Sequence, residues 1–130
     1  MMFVLPVMSQ ERIFEITSPN GEVTHKAVGN FTIIDSDGIT WTLYDELDNG
    51  NTIMIDIFQA TWMSCIAYAP IIEEVYVKYG SGMSNLNVWG VTRYDDNQTI
   101  NQYKIDVGVS HPCAGSEGYG GNAIDQHING

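Results

Sequence analysis

The sequence has 130 residues, of which 44% are hydrophobic, so it is long enough for one small domain with a buried core. Its 16 acidic and 5 basic residues give a formal charge of -11, which disfavours nucleic-acid phosphates and anionic membrane surfaces as partners. No apolar run approaches the ~20 residues of a membrane-spanning helix, so we expect neither a nucleic-acid partner nor a membrane span, and composition leaves the oligomeric state open.

The N-terminal residues predict β-structure. MMFVLPVMSQ is apolar through Met8, but it lacks the basic residues and the cleavage site of an intact signal peptide. Residues 1–9 are therefore interpreted either as a signal-peptide remnant or as a buried first strand. From Glu11 to Val28, polar and apolar residues alternate around a Ser-Pro-Asn-Gly cluster that ends at Gly21, which predicts a hairpin because glycine tolerates positive φ.

A second turn and a strand-helix-strand unit follow. Phe31 to Asp35 and Ile39 to Leu43 flank Ser-Asp-Gly and predict a second hairpin or a strand-turn-strand, and a short polar segment is expected from Tyr44 to Asn51. Ile53 to Phe58 reads as a central strand covered on both faces. Apolar residues recur at helical spacing from Cys65 to Tyr79, with Gly80 at the C-cap and a kink expected at Pro70. The strand Asn87 to Thr92 follows, and the order strand, helix, strand predicts a parallel crossover.

The last part of the chain predicts shorter elements. Asp95 and Asp96 are expected in a solvated turn, and a helix is expected from Thr99 to Val107. An extended piece then runs from Val109 to Cys113, and a glycine-rich loop spans Ala114 to Asn122. The final NAIDQHING predicts a short helix.

Several of these segments together resemble the redoxin branch of the thioredoxin-like superfamily, which includes thiol-disulfide oxidoreductases and the alkyl hydroperoxide reductase/thiol-specific antioxidant group. The similar stretches are FTIIDSDGITWTL, IDIFQATW, the helix with Pro70, YVKYG and NVWGVT, and the resemblance covers about residues 31 to 124. It implies an α/β thioredoxin-like fold with an N-terminal β-hairpin extension. The implied division is an apolar segment and hairpin over residues 1–30 and a thioredoxin-like domain over residues 31–130.

The resemblance also points to an active-site motif, which departs from the family's W-C-x-x-C pattern. The motif residues are Thr61, Trp62, Met63, Ser64, Cys65 and Pro70. In one alignment, Asp56, Cys65 and Pro70 match the family's buried aspartate, second cysteine and proline, and Trp62 stands at the first cysteine. In the other, Ala-Thr-Trp stays in register and Met63 replaces the first cysteine. Both alignments lack the attacking thiol.

The catalytic candidates are Cys65, Cys113 and Asp56. A helix N-terminus favours a thiolate, so Cys65 is a candidate reactive thiol, although free cysteines are often buried and inert. The peroxiredoxin motif fits poorly because Thr61 lies four residues before Cys65 and not three. The resemblance makes Asp56 similar to an aspartate that assists proton transfer, or else a polar residue at a strand end.

Cys113 has two interpretations. A Cys65–Cys113 disulfide would close a loop of roughly 48 residues, stabilise the fold by about 4 kcal/mol and allow Cys113 to resolve an oxidised Cys65. An unpaired loop cysteine is the alternative. His111 next to it raises the option of copper ligation by Cys65, His111 and Cys113, but a His-x-Cys sequence is common by chance, so we predict no metal and no cofactor.

The resemblance implies that the sequence stops before the family's cis-proline loop and C-terminal hairpin, so a fragment with an exposed strand edge is expected. Two functions are compatible with these features. The first is a redoxin-like thiol-disulfide oxidoreductase in cell redox homeostasis, secreted or periplasmic, with a single active-site cysteine, weak or no dithiol activity, and a protein thiol or disulfide as partner. The second is a non-catalytic binding or structural module.

Overall fold

The computed structural model describes residues 2–5, 13–18, 20–81 and 83–128. The strands are β1 (Met2–Leu5), β2 (Ile13–Thr17), β3 (Val23–Ala27), β4 (Thr32–Ile34), β5 (Thr40–Thr42), β6 (Thr52–Ile57), β7 (Leu86–Val91) and β8 (Cys113–Ala114). The helices are α1 (Leu43–Asp48), α2 (Met63–Tyr79), α3 (Asn97–Val107), α4 (Gly120–Asn122) and a π-helix over Ala123–Ile128. Six strands form one sheet in the order β3-β2-β1-β6-β7-β8, and β4 and β5 pair separately.

Strand β6 lies inside the large sheet, as predicted. It runs parallel to β7 and antiparallel to β1. Successive residues of a strand point to opposite faces. Ile53 and Ile55 accordingly join the core cluster that contains α1 and β4 residues, whereas Phe58 joins the cluster under α2 and α3. The β6-α2-β7 unit is the predicted parallel crossover, and both faces of the sheet at β6 are covered, as predicted.

Strand β1 covers one side of the central strand β6, and the large sheet ends at β3 and β8, so the predicted exposed edge is not at β6 and the fragment stays a prediction. Strand β1 pairs along β6 from Met2 opposite Asp56 to Leu5 opposite Ile53. This pairing occupies the edge of β6 that would otherwise offer free N–H and C=O groups. Strands β1 to β3 thus belong to the same sheet as β6 to β8. Residues 2–5 form the strand that was one of the two interpretations of the N-terminus, and residues 6–12 lie outside the described part.

Both predicted hairpins are confirmed. Strands β2 and β3 pair antiparallel around Gly21, and β4 and β5 pair around Gly38, both glycines having positive φ. The second turn is held by Asp35, whose carboxylate accepts bonds from the Ile39 N–H at 3.0 Å and from Trp41 Nε1 at 2.8 Å. The turn sequence thus sets the chain reversal, and the buried aspartate fixes it.

Helix boundaries differ from prediction in informative ways. The segment expected to be merely polar contains α1, because Leu43 and Leu47, four residues apart, are both buried. Helix α2 begins two residues before the predicted start and ends at the predicted Gly80, with Pro70 inside it; the kink stays a prediction. The expected glycine-rich loop contains α4, and the predicted last helix is the π-helix.

Candidate functional site

The motif residues lie where β6 leads into α2. Cys65 is the third residue of α2, whose N-cap is Trp62, so the predicted position at a helix N-terminus is confirmed. The side chain of Cys65 is half-buried, whereas Thr61 and Ser64 are exposed, as is Pro70 further along the helix. Trp62 is 56% exposed and Met63 is 79% exposed. A half-buried Cys65 therefore lies in the first turn of a 17-residue helix that begins with two exposed apolar residues, Trp62 at the N-cap and Met63.

Asp95 holds the loop before α2 in place. Its carboxylate oxygen Oδ2 accepts a bond from the Ala60 N–H at 2.9 Å and from the Thr92 hydroxyl at 2.7 Å. Asp95 is only 8% exposed, so the expected solvated turn is wrong for this residue. Its neighbour Asp96 is exposed and caps α3. Because a buried carboxylate is costly without partners, these two bonds tie the loops after β6 and β7 together.

Asp56, Gly90 and Cys113 form a row across the sheet. Asp56 of β6 pairs with Gly90 of β7, which pairs with Cys113 of β8. In parallel strands, paired residues point to the same face, here the face covered by α2 and α3. A Cβ atom on Gly90 would lie 2.7 Å from Cys113 Sγ, so the thiol occupies the space that the missing side chain leaves. Burial raises the pKa of Asp56 to about 6.

Cys113 lies in the interior of the protein. It is 0% exposed, and its Sγ is 3.6 Å from Nδ1 of His111, which is 2% exposed. Burial raises the pKa of the Cys113 thiol to about 12 and lowers the pKa of His111 to about 4. The ring of His111 packs edge-on against Tyr76 of α2. At neutral pH, the thiol and the imidazole are therefore both uncharged, which suits a packed core better than thiol chemistry.

The structure brings the three catalytic candidates to the same side of the sheet. Cys65 packs against the core cluster that contains Cys113 and Tyr103, and Asp56 lies on that face. Both cysteines are free, so the proposed Cys65–Cys113 disulfide is not formed. Burial raises the pKa of Tyr103, with Asp56 and both thiols among the neighbouring groups that add to the shift. The site thus combines a half-buried Cys65 at the start of α2 with a fully buried Cys113 in the core cluster that it contacts.

The residues considered for copper ligation are Cys65, His111 and Cys113. His111 and Cys113 are neighbours, yet the described part of the chain contains no group of three or more His, Cys, Asp or Glu side chains placed to hold a metal ion. As for the membrane, none of the helices in the described ranges is both long and apolar enough to cross a bilayer.

Comparison with known structures identifies the architecture. Over 68% of its length the chain superimposes on a proposed protein disulfide isomerase from Bacteroides thetaiotaomicron with a TM-score of 0.61 and 21% identity. The chain has a thioredoxin-like fold. Two further matches are the thioredoxin domain of a thiol-disulfide oxidoreductase from Bacteroides vulgatus (TM-score 0.60, 14% identity, 76% of this chain) and a secreted Mycobacterium tuberculosis disulfide oxidoreductase homologous to E. coli DsbE (TM-score 0.55, 13% identity, 65% of this chain).

These matches confirm the thioredoxin-like resemblance and extend over part of each neighbour. The chain covers 54%, 66% and 59% of the three structures in the order given. No protein-family model matches the sequence, and no curated protein is significantly similar to it. At these identities the likeness establishes the thioredoxin-like fold, and the chemistry depends on the residues at the site.

Sequence reasoning missed Asp95 as a positioning residue. The Asp-Asp pair reads as a turn because aspartate favours helix N-caps, and Asp96 does cap α3 by accepting a bond from the Thr99 N–H at 2.8 Å. Nothing local distinguishes Asp95, whose partner Ala60 lies 35 residues away in the chain. Only the parallel pairing of β6 with β7, which brings the ends of both strands to one edge, indicates the contact.

Proposed function

We propose that this thioredoxin-like chain carries out thiol-disulfide exchange through Cys65 alone, with a protein thiol or disulfide as its partner. In this reaction the Cys65 thiolate attacks a partner disulfide, one sulfur-sulfur bond forms as another breaks, and the partner's second sulfur leaves as a thiolate. The observation that carries the proposal is the contrast between a half-buried Cys65 at a helix N-terminus and a fully buried Cys113.

A single accessible thiol limits what the chain can achieve. Release of a mixed disulfide within one molecule needs a second thiolate, and Cys113 is enclosed, with its pKa raised by burial to about 12. We therefore infer weak or no dithiol turnover and a long-lived mixed disulfide. The burial of Asp56, which holds a proton up to about pH 6, supports a role in proton transfer at this site.

An extracytoplasmic location belongs to the same proposal. It is supported by the secreted Mycobacterium tuberculosis neighbour and by the chemistry, since protein disulfides persist in oxidising compartments.

A non-catalytic binding module is the second candidate, and the exposed apolar side chains of Trp62 and Met63 favour it.

Two assays together separate the candidates. In the first, the purified chain should reduce insulin disulfides no faster than dithiothreitol alone. In the second, incubation with 2,2′-dithiodipyridine should yield a mixed disulfide at Cys65, detected by mass spectrometry, and Cys65→Ser should abolish it. Insulin turnover that is lost in Cys113→Ser would show a dithiol mechanism and would contradict exchange through Cys65 alone. An unreactive Cys65 would favour the binding module.

A further inference from the structure

A groove lies between α2 and α3, next to the first turn of α2. Its volume is about 440 Å³, within the range of roughly 300 to 1,000 Å³ typical of ligand sites. The apolar lining consists of Ala60, Ile66, Tyr103 and Val107. Tyr103 belongs to the core cluster against which Cys65 also packs, and Ile66 follows Cys65 in the chain. This α2–α3 groove is lined by these four residues and by polar residues of α3, and it therefore lies near Cys65.

The α3 side of the groove carries a regular polar stripe. Gln98, Gln102 and Asp106 line it at intervals of four residues, which places them about 6 Å apart along the helix axis. In an extended peptide, alternate residues repeat about every 6.6 Å, so the two spacings nearly match. The Gln102 side chain donates a bond from Nε2 to Asp106 Oδ1 at 2.8 Å, and a carboxamide bonded in this way still accepts at its oxygen. The stripe can thus bond to a backbone that runs along α3.

The charge of the groove selects among peptides. Asp106 is the charged residue of the lining, which contains neither lysine nor arginine. At the start of α3, the Thr99 N–H lowers the pKa of the exposed Asp96, which therefore remains a carboxylate at neutral pH. The whole chain has 16 acidic and 5 basic residues, which also disfavours a second copy of itself as the occupant.

We propose that the α2–α3 groove binds an extended segment of the partner polypeptide that carries a positively charged side chain near its reactive cysteine. This inference rests on the proposed exchange chemistry at Cys65 and specifies the partner that the site prefers. Apolar side chains of the segment would pack on Ile66 and Val107, the carboxamides would bond its backbone, and Asp106 would pair with its cation.

The test uses three peptides that differ only beside a central cysteine, where they carry Lys, Gln or Glu. Each cysteine is activated as a disulfide with 2-thiopyridine, and the rate of thiopyridone release by the native chain is measured. Each rate is divided by the rate with 2,2′-dithiodipyridine, a small reagent without charge. At low salt we expect the Lys peptide to react about tenfold faster than the Glu peptide, with the difference nearly lost at about 1 M salt.

Two variants locate the effect in the groove. Asp106→Asn should reduce the Lys-to-Glu rate ratio about two- to threefold, whereas Asp45→Asn, an exposed carboxylate on α1, should leave the ratio unchanged. Equal rates for the three peptides, or equal effects of the two variants, would overturn the groove proposal while leaving exchange at Cys65 intact. A peptide rate that falls as the protein concentration rises would identify a second copy as the occupant and would also overturn it. Failure of 2,2′-dithiodipyridine to react would instead refute the proposed function.

Discussion

Cys65 and Cys113 are on the same side of one sheet, yet their surroundings differ in every respect that governs thiol chemistry. Cys65 is half-buried in the first turn of α2, which begins with exposed Trp62 and Met63. Cys113 is fully buried against His111 and above Gly90. The first environment gives access and a favourable helix end, and the second offers only packing. A shared location in the fold therefore does not give two cysteines a shared role.

The largest expected effect is in alkylation of the native chain. At pH 8, with its pKa raised to about 12, only about one Cys113 in 10⁴ is a thiolate, and none of its surface reaches solvent. We expect iodoacetamide to label Cys65 at least about 10³-fold faster than Cys113, as measured by mass spectrometry of the digested protein. In denaturant the two rates should become similar. A Cys65 that labels only after unfolding would remove the difference on which the comparison depends.

The next effect tests the Cys113 side. The methyl group of Gly90→Ala would lie 2.7 Å from Cys113 Sγ, which is too close for two unbonded atoms. We therefore expect a loss of about 3 kcal/mol in the free energy of unfolding. Combining it with Cys113→Ala should recover part of that loss, because the nearest clash is removed. Urea denaturation of the two single variants and the double variant gives the coupling. Additive losses would mean that Cys113 does not fill the space above Gly90.

The third effect tests the Cys65 side. Asp95→Ala removes the acceptor for the Ala60 N–H and the Thr92 hydroxyl, so we expect a loss of about 2 kcal/mol and an altered rate of Cys65 alkylation. Asp96→Ala is the matched control, since it removes a carboxylate one residue away that caps α3 only. Its alkylation rate should equal that of the unmodified chain. Equal rates for both variants and the parent would show that Asp95 does not position the loop.

The smallest effect concerns Asp56, at one end of the row that also contains Gly90 and Cys113. Folded Asp56 has a pKa of about 6 against an ordinary 3.8, so the folded chain retains a proton that the unfolded chain has lost. Stability from this residue is full below about pH 4 and falls as pH rises through 6. We expect Asp56→Asn to leave the free energy of unfolding unchanged at pH 4 and to raise it by about 1 to 2 kcal/mol at pH 8, because asparagine has no charge to bury. The gain is modest because residue 56 is partly exposed to solvent.

His111 acts with the opposite sign in an overlapping range. Its folded pKa of about 4 lies below the ordinary 6.5, so its contribution is lost as pH falls from 6.5 to 4. The stability difference between Asp56→Asn and the parent chain, measured by urea denaturation at each pH, isolates the aspartate. A difference that does not change with pH would show that folding does not raise the pKa of Asp56.

The sequence predicts the regular parts of this molecule and not its long-range contacts. Turn residues such as Gly21 and Gly38, and the apolar run of β6, specify their structure locally, so both hairpins and the crossover were predictable. The pairing of β1 with β6 was not, because an apolar segment is compatible with many partners. Likewise, the position of Cys65 at the start of α2 could be predicted from its sequence spacing to Asp56 and Pro70. The burial of Asp95 and Cys113, by contrast, depends on residues far away in the chain.

Cys65 is proposed to react without help from Cys113, and the number of thiopyridone molecules released per chain distinguishes this from a dithiol reaction. The native chain is mixed with excess 2,2′-dithiodipyridine, thiopyridone is followed by absorbance, and the product is weighed by mass spectrometry. A lone accessible thiol releases one equivalent and leaves a stable mixed disulfide at Cys65, which is the result we predict. Release of two equivalents in the native state, with an internal Cys65–Cys113 disulfide as the product, would show that Cys113 takes part and would rule out reaction through Cys65 alone.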